Sequence, residues 1–74
     1  MTNSQELEIQ LVRKRKSKKA LANALCISEM ALLNKMKGKS EFKASEISRT
    51  ATFLDLTRDE RDSIFFAYQY DLKS

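Results

Sequence analysis

The residues with chemistry to offer are cationic, and they crowd into one stretch. Seven consecutive positions, Arg13-Lys14-Arg15-Lys16-Ser17-Lys18-Lys19, hold six of the chain's fourteen Lys and Arg side chains. Ammonium and guanidinium groups at this density suit the neutralisation of a polyanion. A wider window keeps the asymmetry. Residues 1–39 hold nine basic and three acidic side chains, a net of +6, whereas residues 40–74 hold five basic and seven acidic ones, a net of −2. A solvated face would also account for charge alone, so position must decide.

Catalysis finds no footing in the same inventory. The 74 residues include no His, one Cys and one Gly. They therefore offer no histidine base, no metal-spaced cysteine cluster and no glycine-rich phosphate loop. Thr57 and Glu60 are better explained by helix capping, and Cys26 as a small turn residue. Neither enzymatic activity, a cofactor nor a metal is expected. A lone thiol forms no internal disulfide and suits a reducing cytosol. The start, MTNSQELEIQ, lacks the basic-then-apolar pattern of a signal peptide, and no apolar run reaches bilayer length. One soluble cytoplasmic domain spanning 1–74 is the expectation.

The elements that must position these cations are helical, because proline is absent and strand-type alternation is missing. Leu7, Leu11 and Val12 predict an inward stripe on a first helix over roughly 3–15. Ser17 can cap a second helix, Lys18 to Leu25, with Leu21 and Leu25 inward and Ala22 small enough for a close crossing. Cys26 and Ile27 make a corner. Ser28 can cap a third helix, Glu29 to Lys37, with Leu32 and Met36 inward. The single glycine, Gly38, stands where that helix should stop. Residues 17–38 thus read as two short helices about a tight turn, the unit whose second helix enters a DNA groove. Lys18 and Lys19 at a helix N-terminus oppose the macrodipole, a local cost that a phosphate partner would offset. Lys35, Lys37 and Lys39 alternate, so they cannot all face one way on a helix.

Residues 39–43 read as a loop anchored by Phe42. A fourth helix follows from about Ala44 to Leu54, with Ile47, Ala51 and Leu54 inward. Thr57-Arg58-Asp59-Glu60 is a capping box for a fifth, which carries Ile64, Phe65 and Phe66. The tail 68–74 has no clear period. The fold class is all-α, a compact five-helix domain.

The run LANALCISEMALLNKMKGK, then EFKASEI, then LDLTRDERDSIFFA, resembles the phage repressor and Cro-type helix-turn-helix family, that is, lambda repressor-like or XRE domains. It looks most like small Cro-like regulators from phages of Gram-positive bacteria. Leu21 and Ala22, Ile27 and Ser28, Gly38, and the Phe65-Phe66 pair match that pattern across nearly the whole chain. The resemblance implies a lambda repressor-like fold. It also implies phosphate contacts from Ser17, Lys18 and Lys19 at the start of the second helix, and from Lys35, Lys37, Lys39 and Lys43 after the third. Glu29, Met30 and Asn34 would face the bases: Asn for adenine, Glu for cytosine, Met against a thymine methyl. The departures are Cys26 where the family usually has Gly, the missing Gly between the first two helices, and an unusually apolar and acidic reading surface.

The resemblance implies a transcriptional regulator of a lytic–lysogenic switch in a bacterial host's cytoplasm, binding a double-stranded operator and needing a homodimer or a second copy. The departures sustain an alternative. Glu29 repels phosphate, and Met30 with Leu33 makes an apolar edge, so the same surface could bind the phage's own repressor protein, as an antirepressor. A basic amphipathic membrane-surface role is disfavoured because the apolar faces are needed for the core. One of Phe65 and Phe66, with Tyr68 and Tyr70, could contribute a dimer contact.

Overall fold

The computed structural model describes residues 2–66, and every regular element among them is an α-helix. The elements are α1 (Ser4–Arg13), α2 (Lys18–Ala24), α3 (Glu29–Met36), α4 (Ala44–Phe53) and α5 (Arg58–Phe65). The five-helix, all-α expectation therefore holds, with α1 three residues shorter than expected and α2, α3 and α4 each one residue shorter. The tail 68–74, with Tyr68 and Tyr70, lies outside the described residues.

Each helix starts for a reason visible in the sequence. Side-chain oxygens of Asn3, Ser17, Ser28 and Thr57 accept from the backbone N–H groups of Glu6, Ala20, Ala31 and Glu60 at 3.0–3.1 Å. Each bond satisfies one of the donors that a first turn leaves unpaired. Glu60 completes the α5 capping box by accepting from the Thr57 N–H at 2.9 Å. At α4 the preceding Lys43 has no acceptor to offer. Glu46 instead reaches back to the Lys43 N–H at 2.8 Å.

The helix ends are more uniform still. Arg15, Cys26, Gly38 and Asp55 all have φ between 50° and 85°, one after each of the first four helices. Around each, two N–H groups fold back on the last turn. At the central corner, Cys26 N–H donates to the Asn23 carbonyl at 3.1 Å and Ile27 N–H to the Ala22 carbonyl at 3.0 Å. This is the Schellman arrangement, which ordinarily recruits glycine. A Cβ at Gly38 would meet nothing within 4 Å, so backbone conformation alone calls for glycine there. Three non-glycine residues carry the same conformation at a cost of about 1–2 kcal/mol each. Cys26→Gly should therefore raise stability by about 0.5–1 kcal/mol after the extra unfolded-chain entropy of glycine is subtracted. Thermal unfolding would read this as a melting temperature a few degrees higher; an unchanged or lower one would contradict it.

Leu7, Leu11, Leu21, Ala22, Leu25, Leu32, Met36, Leu54, Ile64 and Phe65 form the buried core, with Ile27, Phe42, Ile47, Phe53, Leu56 and Phe66 packed against it. Phe42 anchors the 39–43 loop by setting its ring edge-on to Phe65, with centroids 5.1 Å apart. Helix α2 packs on α3 and α4, and α5 on α4 and α1. The Asn3 N–H donates to the Ile64 carbonyl at 2.6 Å and ties the start of α1 to the end of α5.

Two expectations about the core need correction. Val12 is 78% exposed, and Gln10 is buried in its place. At 100° per residue, Leu7, Gln10 and Leu11 share one arc, while Val12 lies a further 100° past Leu11. The inward line of α4 is also more polar than its aliphatic spacing suggested. Ile47 and Ala51 are half-buried, while Glu46 and Thr50 are buried. The Thr50 hydroxyl donates to the Glu46 carbonyl at 2.8 Å, which leaves it satisfied inside the core. The Gln10 amide donates at 3.4 Å to the carboxylates of Glu6 and Glu60.

Candidate nucleic-acid interface

Helix α3 turns two unlike faces outward and inward. Leu32 and Met36 are buried against the core. Met30, Asn34 and Lys37 fall at i, i+4 and i+7, on the line opposite them, with Leu33 beside that line. Met30 is 65% exposed, Glu29 and Lys37 are exposed, and Leu33 and Asn34 are half-buried. The candidate base-facing set, Glu29, Met30 and Asn34, thus reaches solvent from the first two turns. Its thioether, carboxylate and amide could offer an apolar contact, an acceptor, and a paired donor and acceptor.

The candidate phosphate-binding residues divide into three groups. Lys19, Lys37, Lys39 and Lys43 are exposed. Ser17 is exposed too, with its hydroxyl accepting the capping bond from Ala20. Lys18 sits 2.6 Å from the Glu8 carboxylate on α1, both side chains being about half exposed. The cost of a lysine at the start of α2 therefore has a structural offset within the chain, and does not by itself call for phosphate. An exposed pair of this kind is worth roughly 1 kcal/mol at most, so Lys18 stays free to exchange partners.

Lys35 is the exception, and the expectation that it contacts phosphate is corrected. Its side chain is only 11% exposed and its ammonium lies 3.1 Å from the Glu46 carboxylate, itself 9% exposed. The same ammonium donates to the Glu41 carbonyl at 3.1 Å. Lys35 and Lys37 lie 200° apart on the helix, so one reaches α4 and the other reaches solvent. Burial pushes the Glu46 carboxyl up, but the Lys43 N–H, the Lys35 bond and the two ammonium charges together outweigh it and hold it below the ordinary carboxylate value. At Glu60 the Thr57 N–H bond is the main cause of a similar lowering.

Parts of the basic run also have structural work. Lys14 Nζ donates to the Asp55 carbonyl at 3.4 Å, and Lys16 Nζ stands 5.1 Å from the centre of the Phe53 ring. Both tether the end of α1 to the end of α4. Arg13 and Arg15 are exposed. Arg49, on the half of the chain with negative net charge, brings its guanidinium 3.9 Å from Cys26 Sγ, beside the central corner. Sequence reasoning missed it, because 23 residues separate the two and no local pattern marks the contact.

Among the described residues, no group of three or more acidic, Cys or His side chains could hold a metal, and no helix is long and apolar enough to cross a membrane. One family model, described as "Protein of unknown function (DUF739)", matches residues 3–68. No curated protein and no solved structure is a match.

Proposed function

The chain belongs to the DUF739 family, and from that premise we propose that it is a DNA-binding regulator that reads duplex DNA with α3. The observation that carries this reading is the outward line of α3, where Met30, Asn34 and Lys37 stand opposite the buried Leu32 and Met36. Cations flank that line in sequence, with the half-exposed Lys18 and the exposed Lys19 at the start of α2 and the exposed Lys39 and Lys43 in the following loop. In this proposal the lysines set the protein on the sugar-phosphate backbone and the first two turns of α3 enter the major groove. An eight-residue helix reads few base pairs, so the reading includes a homodimer or paired copies on the operator. The resemblance to phage repressor and Cro-type proteins supports taking the proposed role to be in a lytic–lysogenic switch, in the cytoplasm of a bacterial host. It is a role of binding and not of catalysis.

The test is a fluorescence anisotropy titration against the DNA flanking the chain's own gene and against a scrambled duplex. Asn34→Ala should cost roughly 5- to 100-fold on the preferred duplex and little on the scrambled one. Lys18→Ala should weaken both alike. Equal loss on both duplexes from Asn34→Ala would count against base reading.

A second reading is favoured by Met30, which is 65% exposed beside the exposed Glu29 and half-buried Leu33. This edge suits a protein partner bearing Arg or Lys, such as a phage repressor, better than it suits phosphate. On this reading Glu29→Gln and Met30→Ala impair repressor capture and leave DNA affinity unchanged or improved. The titration with and without the repressor separates the two.

A further inference from the structure

The ion pair between α3 and α4 is the feature that neither the sequence pattern nor the proposed function absorbs. Helix α3 packs chiefly on α2. Lys35 bonds its other side to α4 through Glu46, and to the intervening loop through the Glu41 carbonyl. Glu46 in turn accepts from the Lys43 N–H at 2.8 Å, where the loop enters α4. One carboxylate thus joins three things: the flank of α3, the loop that carries Lys39 and Lys43, and the first turn of α4.

Such a pair is a costly way to gain stability. Two charges withdrawn from water recover little net free energy even with good geometry, and an apolar pair of similar volume often does as well. What a buried, directional pair adds is a defined geometry. Apolar packing on α2 alone would tolerate small rolls of a short helix. A bond from Lys35, on the flank between the core face and the solvent face, resists them.

We propose that Lys35 and Glu46 are positioning residues that set the roll of α3 and the path of the 39–43 loop, so that α3's outward side chains and the loop lysines meet one duplex in a single register. This rests on the DNA-binding reading for its consequence, though not for its mechanics. Lys35 acts through α3 and touches no phosphate.

The experiment compares wild-type protein, Lys35→Met, and the double variant Lys35→Met with Glu46→Gln. The double variant leaves no unpaired buried charge, and its Gln can still accept from the Lys43 N–H, so it remains foldable where the single variant fails. Amide exchange of the free protein is the first readout. Exchange in α3 and in 39–43 should quicken by about fivefold or more relative to α1 and α5. Unchanged exchange in those segments overturns the proposal. DNA binding is the second. The preference for the specific duplex over the scrambled one should fall about tenfold, with the slope of affinity against salt unchanged. A slope shallower by about 0.9, with equal loss on both duplexes, would make Lys35 a direct phosphate contact and overturn the proposal. A wild-type protein with no preference for any duplex would sink the DNA reading by itself, and the exchange data would still decide whether the pair positions α3.

Discussion

Raising monovalent salt from about 50 to about 200 mM should weaken binding to duplex DNA by roughly two to three orders of magnitude per protomer. The expectation follows from a count that the structure revises. Lys18, Lys19, Lys37, Lys39 and Lys43 are the cationic phosphate candidates that remain once Lys35 is assigned to Glu46. Each neutralised phosphate releases condensed counterions and contributes about −0.9 to the slope of log affinity against log salt. Five contacts give a slope near −4.5, and four would give about −3.6. Lys18 contributes only by leaving the Glu8 carboxylate, an exposed pair that salt also screens. Lys37→Ala should make the slope shallower by about 0.9, whereas Asn34→Ala should leave it alone. Titrations at four or five salt concentrations would decide the matter. A slope near zero would mean that these cations only solvate the surface, and would move the reading to the protein-binding alternative.

Leu32→Ala should remove about 2–5 kcal/mol of stability, while Met30→Ala, two residues earlier on the same helix, should leave stability nearly unchanged. Leu32 is completely buried on the inward face of α3. Removing its isobutyl group forfeits the transfer free energy and leaves a cavity, together about 2–5 kcal/mol. A domain of this size holds roughly 4–11 kcal/mol in total, so the loss takes a large share of the reserve. Met30 stands 65% exposed and falls within the surface range of about 0.5 kcal/mol. Urea unfolding followed by circular dichroism measures both. Similar midpoints for the two variants would show that α3 is rolled away from the described orientation. That roll would also undo the placement of Met30, Asn34 and Lys37 on the outward line of α3.

Much of the architecture is local and was therefore legible along the chain. Ser17, Ser28 and Thr57 cap the helices that follow them, and Gly38 ends α3, because capping involves groups within three residues of each other. The aliphatic spacing of Leu21, Leu25, Leu32 and Met36 named the inward faces for the same reason. The left-handed backbone at Cys26 stands where the resembled family usually has Gly, whereas nothing in the sequence singled out Arg15 or Asp55. Where one apolar residue adjoined another, spacing misled: Val12 beside Leu11 was assigned to the core, and 100° of rotation put it in water.

Other features depend on which helices meet, and no local pattern encodes that. Glu46 is an ordinary acidic residue in sequence. Only the approach of α4 to the flank of α3 makes it a buried partner for Lys35 and removes that lysine from the phosphate set. The same holds for Lys18, whose partner Glu8 lies on another helix, and for Arg49 beside Cys26. The sequence by itself determined an all-helical domain with a capped helix, corner and helix, and a strong bias of positive charge toward that unit. The tertiary structure alone decided which cations remain free, because a lysine's role depends on the nearest carboxylate in space, and long side chains reach across helices that sequence places far apart.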